Sequence, residues 1–267
     1  MSSLIAWVAV DSRGPASLYL ASDSRITWGS PNTYWDQGKK LFTSSLTPDL
    51  FGYCGDVLFP SLFLSQIDSL LTNRLLPGKD TTPADGHEVL RKMAEQSFAA
   101  YPAVNRAAFT LLHATREGQG MVSRFRLWRT DWSAARGWTD SEIELPSESV
   151  LMLAAGSGAS VVTRQDDEWR RRLGRTSRSV FSAFCDALAS REDPNTGGAP
   201  QLVGLYRTGG ARLFGIASSG ARYICGIAIP ESAIVEGSEW RNELFERVDG
   251  RSLTLLPGAQ RQPRPWR

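Results

Sequence analysis

The sequence is poor in the residues on which most metal sites and catalytic triads depend. It has two histidines, His87 and His113, and three widely spaced cysteines with no CxxC pair. It also lacks the GxSxG, Walker A, HExxH and GxGxxG motifs, which carry common hydrolase, nucleotide and zinc-protease chemistries. We therefore expect no metal and no cofactor, and a structural role for each histidine. Any enzyme activity requires a different general base.

Long apolar runs and an excess of one charge are missing as well. No stretch approaches the roughly 18 apolar residues of a membrane span, and the N-terminus lacks the basic and apolar regions of a signal peptide. The 30 Lys and Arg residues are balanced by 28 Asp and Glu residues, which argues against nucleic acid as the main ligand. Cysteines without paired spacing are typical of a reducing compartment. The sequence predicts a cytoplasmic protein with no membrane and no nucleic-acid partner.

The residues that are present follow strand-like and helical patterns in turn. Apolar runs at 4–10 and 18–21 flank a turn and predict a β-hairpin. Helical spacing of apolar residues follows at 58–76 and 87–100, and again over 167–190. Strand-like runs fill the intervals between them. This order predicts an α+β fold in which helices lie outside packed antiparallel sheets.

The first residues offer a base that needs no histidine. An α-amine has an ordinary pKa of about 7.7–8.0, so it accepts a proton near neutral pH. Ser2 would carry such an amine once Met1 is removed, and its hydroxyl is a nucleophile on the same residue. Ser3 is the alternative nucleophile if two residues are trimmed. The start of the sequence therefore indicates N-terminal-nucleophile (Ntn) chemistry, with Ser2 as the first candidate.

Five short motifs extend this interpretation along the chain. In order, they are SSLIA at 2–6 with LASDSR at 20–25, GKKLF at 38–42, GYCGD at 52–56, GSG at 156–158 and DPNTGG at 193–198. Together they resemble the motifs of the proteasome β-subunit family of Ntn hydrolases, particularly its bacterial proteasome-related branches. The resemblance covers residues 1–229 and implies a four-layer αββα sandwich of two antiparallel sheets flanked by helices.

The resemblance also implies roles for three residues at the nucleophile. Ser2 corresponds to the attacking residue, which is usually threonine in the family. Lys40 would lower the pKa of the Ser2 hydroxyl or stabilise its alkoxide. Asp23 would hold the lysine in its charged form.

Four further residues complete the site that the resemblance implies. Gly52 would offer its backbone N–H to the oxyanion of the reaction intermediate. The hydroxyl of Ser157 would help to organise the N-terminal amine. Asp193 and Thr196 belong to a segment similar to the family's DxxSGG, with Thr196 at a position where the family usually has serine.

The substrates and partners implied by the resemblance are those of a proteasome-like peptidase. They are peptides or unfolded proteins as substrates, other copies of the chain in a homo-oligomeric ring, and an unfoldase ATPase. Residues 230–267 have no counterpart in the family, and we expect a C-terminal extension with one helix near 239–247 and a flexible tail. Two alternatives stay open, a non-catalytic ring or scaffold subunit and an Ntn amidase that acts on a small molecule.

Overall fold

The computed structural model describes residues 2–29, 33–44, 46–76 and 81–265. Four α-helices lie in these ranges: α1 Leu58–Thr72, α2 Pro83–Ala100, α3 Ala159–Leu173 and α4 Ser177–Ser190. The strands are β1 Leu4–Asp11, β2 Gly14–Ser22, β3 Ile26–Thr27, β4 Tyr34–Trp35, β5 Leu41–Thr43, β6 Asp49–Gly55, β7 Phe109–Glu117, β8 Arg124–Ser133, β9 Gly137–Glu142, β10 Val150–Ala155, β11 Gln201–Tyr206, β12 Arg212–Ser218, β13 Ala221–Ile224, β14 Ile227–Ala228, β15 Glu239–Asn242 and β16 Arg247–Val248.

The first two strands form the hairpin that the sequence predicts. β1 and β2 pair antiparallel, with Leu4 opposite Ser22 and Trp7 opposite Tyr19. Most of both strands is buried, which explains why their apolar runs are nearly continuous rather than alternating. This pairing brings Ser2 and Ser3, at the start of β1, beside the segment that follows β2.

Within the described ranges, the strands form three sheets. The large sheet has the order β10-β1-β2-β11-β12-β13-β14. In addition, β15 pairs with β12, and β16 pairs with β15. The second sheet has the order β5-β6-β7-β8-β9, and a small sheet consists of β3 and β4. Nearly all neighbours run antiparallel, but β12 and β15 run parallel.

The expected four-layer αββα sandwich of two antiparallel sheets flanked by helices is wrong. Strands account for 34% and helices for 27% of the described residues, and the described strands form three sheets rather than two. The large sheet is also mixed, because β15 enters it parallel to β12. The third sheet is the small pair of β3 and β4, and the C-terminal stretch makes the large sheet mixed by adding strands where the sequence pattern indicated a helical extension.

The region 239–247 shows this difference directly. Its apolar and charged residues have helical spacing, but the structure places β15 and β16 there. Trp240 is buried, and a Cβ on Gly215 would lie 2.4 Å from the Trp240 ring. The close approach of this tryptophan to β12 therefore determines the local structure, as tertiary packing commonly overrides local preference.

The single helix expected over 167–190 is in fact two helices. α3 ends at Leu173 and is followed by Gly174 at the C-cap position, whose φ of +78° is readily adopted by glycine. The hydroxyl of Thr176 then accepts a hydrogen bond from the Ser179 N–H and caps the start of α4. The N-cap position of α1 is Val57, whose side chain forms no capping hydrogen bond.

Among the described residues, four apolar clusters hold the elements together, and the smallest contains Trp240 and Val248 of the C-terminal strands. The first lies between the large and second sheets and includes Leu4, Leu20 and Leu112. The second joins the large sheet to α4 through residues such as Trp7 and Phe181. The third joins α1 and α2 to the second sheet. In the described part of the chain, no helix is both long and apolar enough to cross a membrane.

Candidate active site

Three of the residues singled out from the sequence meet at the start of β1. The ammonium of Lys40 donates to Ser2 Oγ at 2.8 Å, to Asp23 Oδ1 at 2.7 Å and to the Arg25 carbonyl at 2.5 Å. Lys40 and Asp23 are fully buried, and Ser2 is 1% exposed. The three N–H bonds of the ammonium are therefore all used, and one of them fixes the hydroxyl of Ser2.

The carboxylate of Asp23 has a complete set of donors. Oδ1 accepts from Lys40 Nζ at 2.7 Å and from the Ser3 N–H at 3.0 Å. Oδ2 accepts from the N–H groups of Arg25 and Gly197, each at 3.1 Å. Four donors match the acceptor capacity of an ionised carboxylate, so the arrangement accommodates a buried charge next to Lys40.

Gln201 holds the backbone around this pair. Its side-chain carbonyl accepts from the Lys40 N–H at 3.1 Å. Its amide donates to the carbonyls of Asp23 and Gly38, at 3.0 and 2.8 Å, and to Ser24 Oγ at 3.0 Å. Because β11, which begins at Gln201, pairs with β2, the large sheet positions one side chain that links both halves of the ion pair. No motif pointed to Gln201, and its isolated position in the sequence carries no recognisable signal.

The turn 156–158 closes over the backbone of Ser2. Gly156 has a φ of +90°, and a Cβ on it would lie 2.0 Å from the Ser2 carbonyl oxygen. The N–H of Gly158 donates to the same oxygen at 3.3 Å. A glycine is therefore required at 156 for both conformation and space.

Asp193 and Thr196 also reach this region, on the side of Ser3. A Cβ on Gly158 would lie 2.0 Å from Ser3 Oγ, 2.8 Å from Thr196 Cγ2 and 3.3 Å from Asp193 Oδ2. The Thr196 hydroxyl donates to the Asp193 carbonyl at 3.2 Å. Asp193 Oδ2 is buried and has no hydrogen-bond partner within the described residues. The loop 193–197 thus surrounds the first residues of β1, although Lys40 bonds to Ser2 rather than to Ser3.

The structure does not bring Gly52 to the nucleophile. The Tyr53 N–H donates to the Lys40 carbonyl at 3.2 Å, so the N–H of the preceding residue points the other way, towards Leu112 on β7. A Cβ on Gly52 would meet Leu41 and Leu4. Gly52 thus lies in the apolar core between the sheets, and its N–H is directed towards the backbone of β7.

Ser157 lies in the turn over Ser2, but its side chain is exposed. Its hydroxyl forms no hydrogen bond with any residue in the described ranges. The expected removal of Met1 falls outside those ranges.

The second glycine of GYCGD, Gly55, is the one that reaches the rim of the site. It ends β6 with a φ of +96°, and a Cβ there would lie 2.5 Å from the Ala108 carbonyl oxygen. Gly55 and Gly156 both line a cavity of about 270 Å³, so this cavity adjoins Ser2. A glycine between a predicted strand and a predicted helix was the signal that could have identified Gly55. The motif contains two glycines, however, and the sequence does not show which of them reaches the rim of the site.

The thiol of Cys54 lines the same cavity. Burial raises its pKa to about 11, although Thr110 and the charge of Lys40 oppose the rise. Because a thiolate is the reactive form of cysteine, this thiol is a poor nucleophile at neutral pH. The serine is the better candidate.

The two histidines form a separate buried cluster beside α2. His87 Nδ1 and His113 Nδ1 lie 3.0 Å apart, His113 Nε2 lies 3.1 Å from Asp49 Oδ1, and His87 Nε2 lies 3.1 Å from Asp140 Oδ1. Three hydrogen bonds need three protons, which exceeds the two of a pair of neutral imidazoles. In the described residues, no group of three His, Cys, Asp or Glu side chains is arranged to hold a metal ion.

The surroundings of His87 favour its neutral form. Burial and the neighbouring His113 lower the pKa of His87 to about 4, although Asp140 opposes the change. A neutral His87 that carries its proton on Nε2 can accept from His113 at Nδ1 and donate to Asp140. Burial by itself raises the pKa of Asp49, but the hydrogen bond and charge of His113 bring it below its ordinary value.

Comparison with known proteins does not identify a family for this chain. No protein-family model matches the chain, and no curated protein sequence matches it. The resemblance to proteasome β-subunits therefore stays a prediction that rests on five short motifs.

Proposed function

We propose that this protein is an Ntn hydrolase of peptide bonds, chemically similar to a proteasome β-subunit, with Ser2 as the nucleophile after Met1 is removed. One observation carries the proposal: a fully buried lysine bridges the Ser2 hydroxyl and a fully hydrogen-bonded carboxylate. A buried ammonium next to an aliphatic hydroxyl has an obvious catalytic use, because it stabilises the alkoxide that attacks.

The reaction follows from the groups at this position. The amine of the processed Ser2 takes the hydroxyl proton while Oγ attacks the substrate carbonyl, and Lys40 stabilises the negative charge that develops on Oγ. The same amine then gives its proton to the leaving nitrogen, which departs as an amine and leaves an ester on Ser2. Water hydrolyses this ester by the reverse sequence of proton transfers and restores the free hydroxyl.

The cavity beside Gly55 and Gly156 offers room for the acyl part of the substrate. Its polar wall includes Arg129, which donates to Asp131 at 2.7 and 3.0 Å. The positive φ of both glycines keeps backbone rather than side chains at the rim. A peptide could thereby approach Ser2 closely. Gly55 replaces Gly52 as the glycine at the reaction centre.

Assembly and location form part of the same proposal. Trp28, Tyr34 and Trp35, on and beside the small sheet, are each about half exposed, and such aromatic residues are enriched at protein interfaces. We propose that copies of the chain associate into a ring, with an unfoldase ATPase as partner. The cysteines are free thiols, which supports a reducing compartment such as the cytoplasm. A light-scattering mass of one chain would rule out the ring.

The deciding experiment combines intact-mass measurement with a peptide-hydrolysis assay. We expect purified protein to lack Met1 and to react covalently with an electrophile that requires both an amine and a hydroxyl. Ser2→Ala should abolish hydrolysis and labelling, whereas Ser69→Ala, an exposed serine on α1, should leave both unchanged. Full retention of Met1 in active protein, or unchanged hydrolysis by Ser2→Ala, would refute the proposal.

Hydrolysis without processive cleavage of unfolded proteins would favour the small-molecule amidase. A processed Ser2 that neither labels nor hydrolyses would instead identify a non-catalytic subunit.

A further inference from the structure

A larger cavity, of about 550 Å³, lies at the opposite end of β1 from Ser2. It is bounded by Val10 and Tyr19 of the hairpin, by the first residues of α4 and by the C-terminal strands β15 and β16 with Phe245 between them. Val10 lies eight positions after Ser2, which places the cavity about 25 Å from the serine at the usual rise of a strand. It is therefore not part of the proposed hydrolytic site.

Arginines dominate the polar wall of this cavity. Arg175 and Arg178 come from the start of α4, whereas Arg241 and Arg247 come from β15 and β16. Arg175 pairs with Glu148 outside the cavity lining, and Glu239 pairs with Arg241 and lies 3.9 Å from Arg247. No carboxylate lies within ion-pair distance of Arg178 among the described residues. The wall therefore has positive charge that the described chain does not neutralise.

Two guanidinium nitrogens in the wall are buried without a partner. Arg178 Nη1 and Arg241 Nε have no hydrogen-bond acceptor within the described residues. Burial lowers the pKa of Arg178, and Glu246 opposes this effect whereas Arg241 adds to it. Like charges that lie close together with unused donors destabilise the protein unless an anion joins them. These two arginines thus have the donors and the charge that an oxyanion would satisfy.

The rest of the cavity indicates the kind of anion. The N-terminal end of α4, a helix of 14 residues, faces the cavity through Ser177 and contributes a partial positive charge. Guanidinium groups bind phosphate oxygens in pairs. Beside them, Tyr19 and Phe245 supply aromatic surface, which suits an apolar or planar group.

We propose that this cavity, which we call the arginine cavity, binds a phosphorylated small molecule with an aromatic or apolar body. The phosphate lies between Arg178 and Arg241, and the body lies against Tyr19 and Phe245. The C-terminal stretch supplies Arg241, Phe245 and Arg247, so forming this site is a role for residues 230–267.

The test is calorimetric titration of the purified full chain with phenyl phosphate, inorganic phosphate, sulfate and phenol. Phenyl phosphate should bind most tightly, inorganic phosphate and sulfate more weakly, and phenol not at all. Arg178→Gln should weaken phenyl phosphate binding about tenfold or more because it removes the unpaired guanidinium. Its melting temperature without ligand, compared with that of the wild type, shows whether it folds.

A matched pair of exposed arginines makes the result decisive even if Arg178→Gln does not fold. The side chains of Arg247, in the cavity, and Arg164, on α3, are 57% and 54% exposed, and each lies near a glutamate. Arg247→Gln should weaken binding about threefold, and Arg164→Gln should leave it unchanged. Equal losses from both variants would overturn the proposal. So would the absence of saturable binding of every anion at up to about 10 mM.

Discussion

Two buried polar clusters in this protein hold charge in different ways. Around Asp23, each acceptor receives a hydrogen from the Lys40 side chain or from a backbone N–H. Around His87 and His113, the hydrogen bonds depend on how many protons two imidazoles carry. The histidine cluster should lose its geometry when His87 gains a proton. Two polar clusters that are both buried therefore differ in the groups that supply their hydrogens, and a cluster built on imidazoles depends on pH.

The largest loss of stability should come from replacing Lys40, the cation next to Asp23. Lys40→Met should lower the free energy of unfolding by about 3–5 kcal/mol, because it leaves a buried carboxylate without its counter-charge. Urea denaturation measures this loss. The double variant with Asp23→Asn should lose less than the sum of the two single losses, since neither charge remains. Additive losses would show that the pair is not coupled.

A second change tests the turn that covers Ser2. Gly156→Ala should lower the free energy of unfolding by about 2–4 kcal/mol, since it combines an unfavourable φ with a clash against the Ser2 carbonyl. Gly137→Ala is the control, because Gly137 has a φ of +67° but no atom within 4 Å of an added Cβ. It should cost only about 1–2 kcal/mol. Equal losses in urea denaturation would mean that the contact with Ser2 contributes nothing.

The histidine cluster should respond to mild acid. Because the pKa of His87 is about 4 in the folded protein and about 6.5 when unfolded, the unfolded chain binds more protons between these values. Stability is therefore complete above pH 6.5 and falls as the pH drops, by up to about 1.4 kcal/mol per pH unit. Urea denaturation at pH 6.5 and 5.5 measures this slope, and His87→Gln supplies the baseline from other titrating groups. The same slope in both proteins would contradict the assignment of a neutral His87.

The smallest expected effect is at the outer end of that cluster. Asp140→Asn keeps an oxygen that accepts from His87 Nε2 and from the Thr130 hydroxyl. It should therefore cost less than about 1 kcal/mol at pH 7. A loss above about 3 kcal/mol would indicate that the cluster needs the charge of Asp140, contrary to the proton count.

The sequence was sufficient for the parts of the site that lie at strand ends. Ser2 lies two residues before a strand that is evident from its apolar run, and Asp23 and Lys40 stand next to apolar strands that were also recognised. Gly52 shows the limit of such reasoning. Which side of a strand an N–H faces depends on the pairing of both neighbours, and the sequence does not state that pairing.

The same limit explains the error in the fold. Residues 239–247 carry a pattern that is compatible with a helix, and only contact with Gly215, more than twenty residues earlier, makes a strand there more favourable. Gln201 and the arginine cavity were missed for a related reason. Their residues come together from distant elements, and each is unremarkable within its own segment.

The donors to Asp23 have a consequence for the order of events during synthesis. Three of them belong to residues 3, 25 and 40, but the fourth is the N–H of Gly197. A chain synthesised only as far as residue 150 therefore has an Asp23 carboxylate that still lacks one donor and a Ser2 that Gly156 does not yet cover. The buried cluster around Asp23 is completed only after Gly197 has been added.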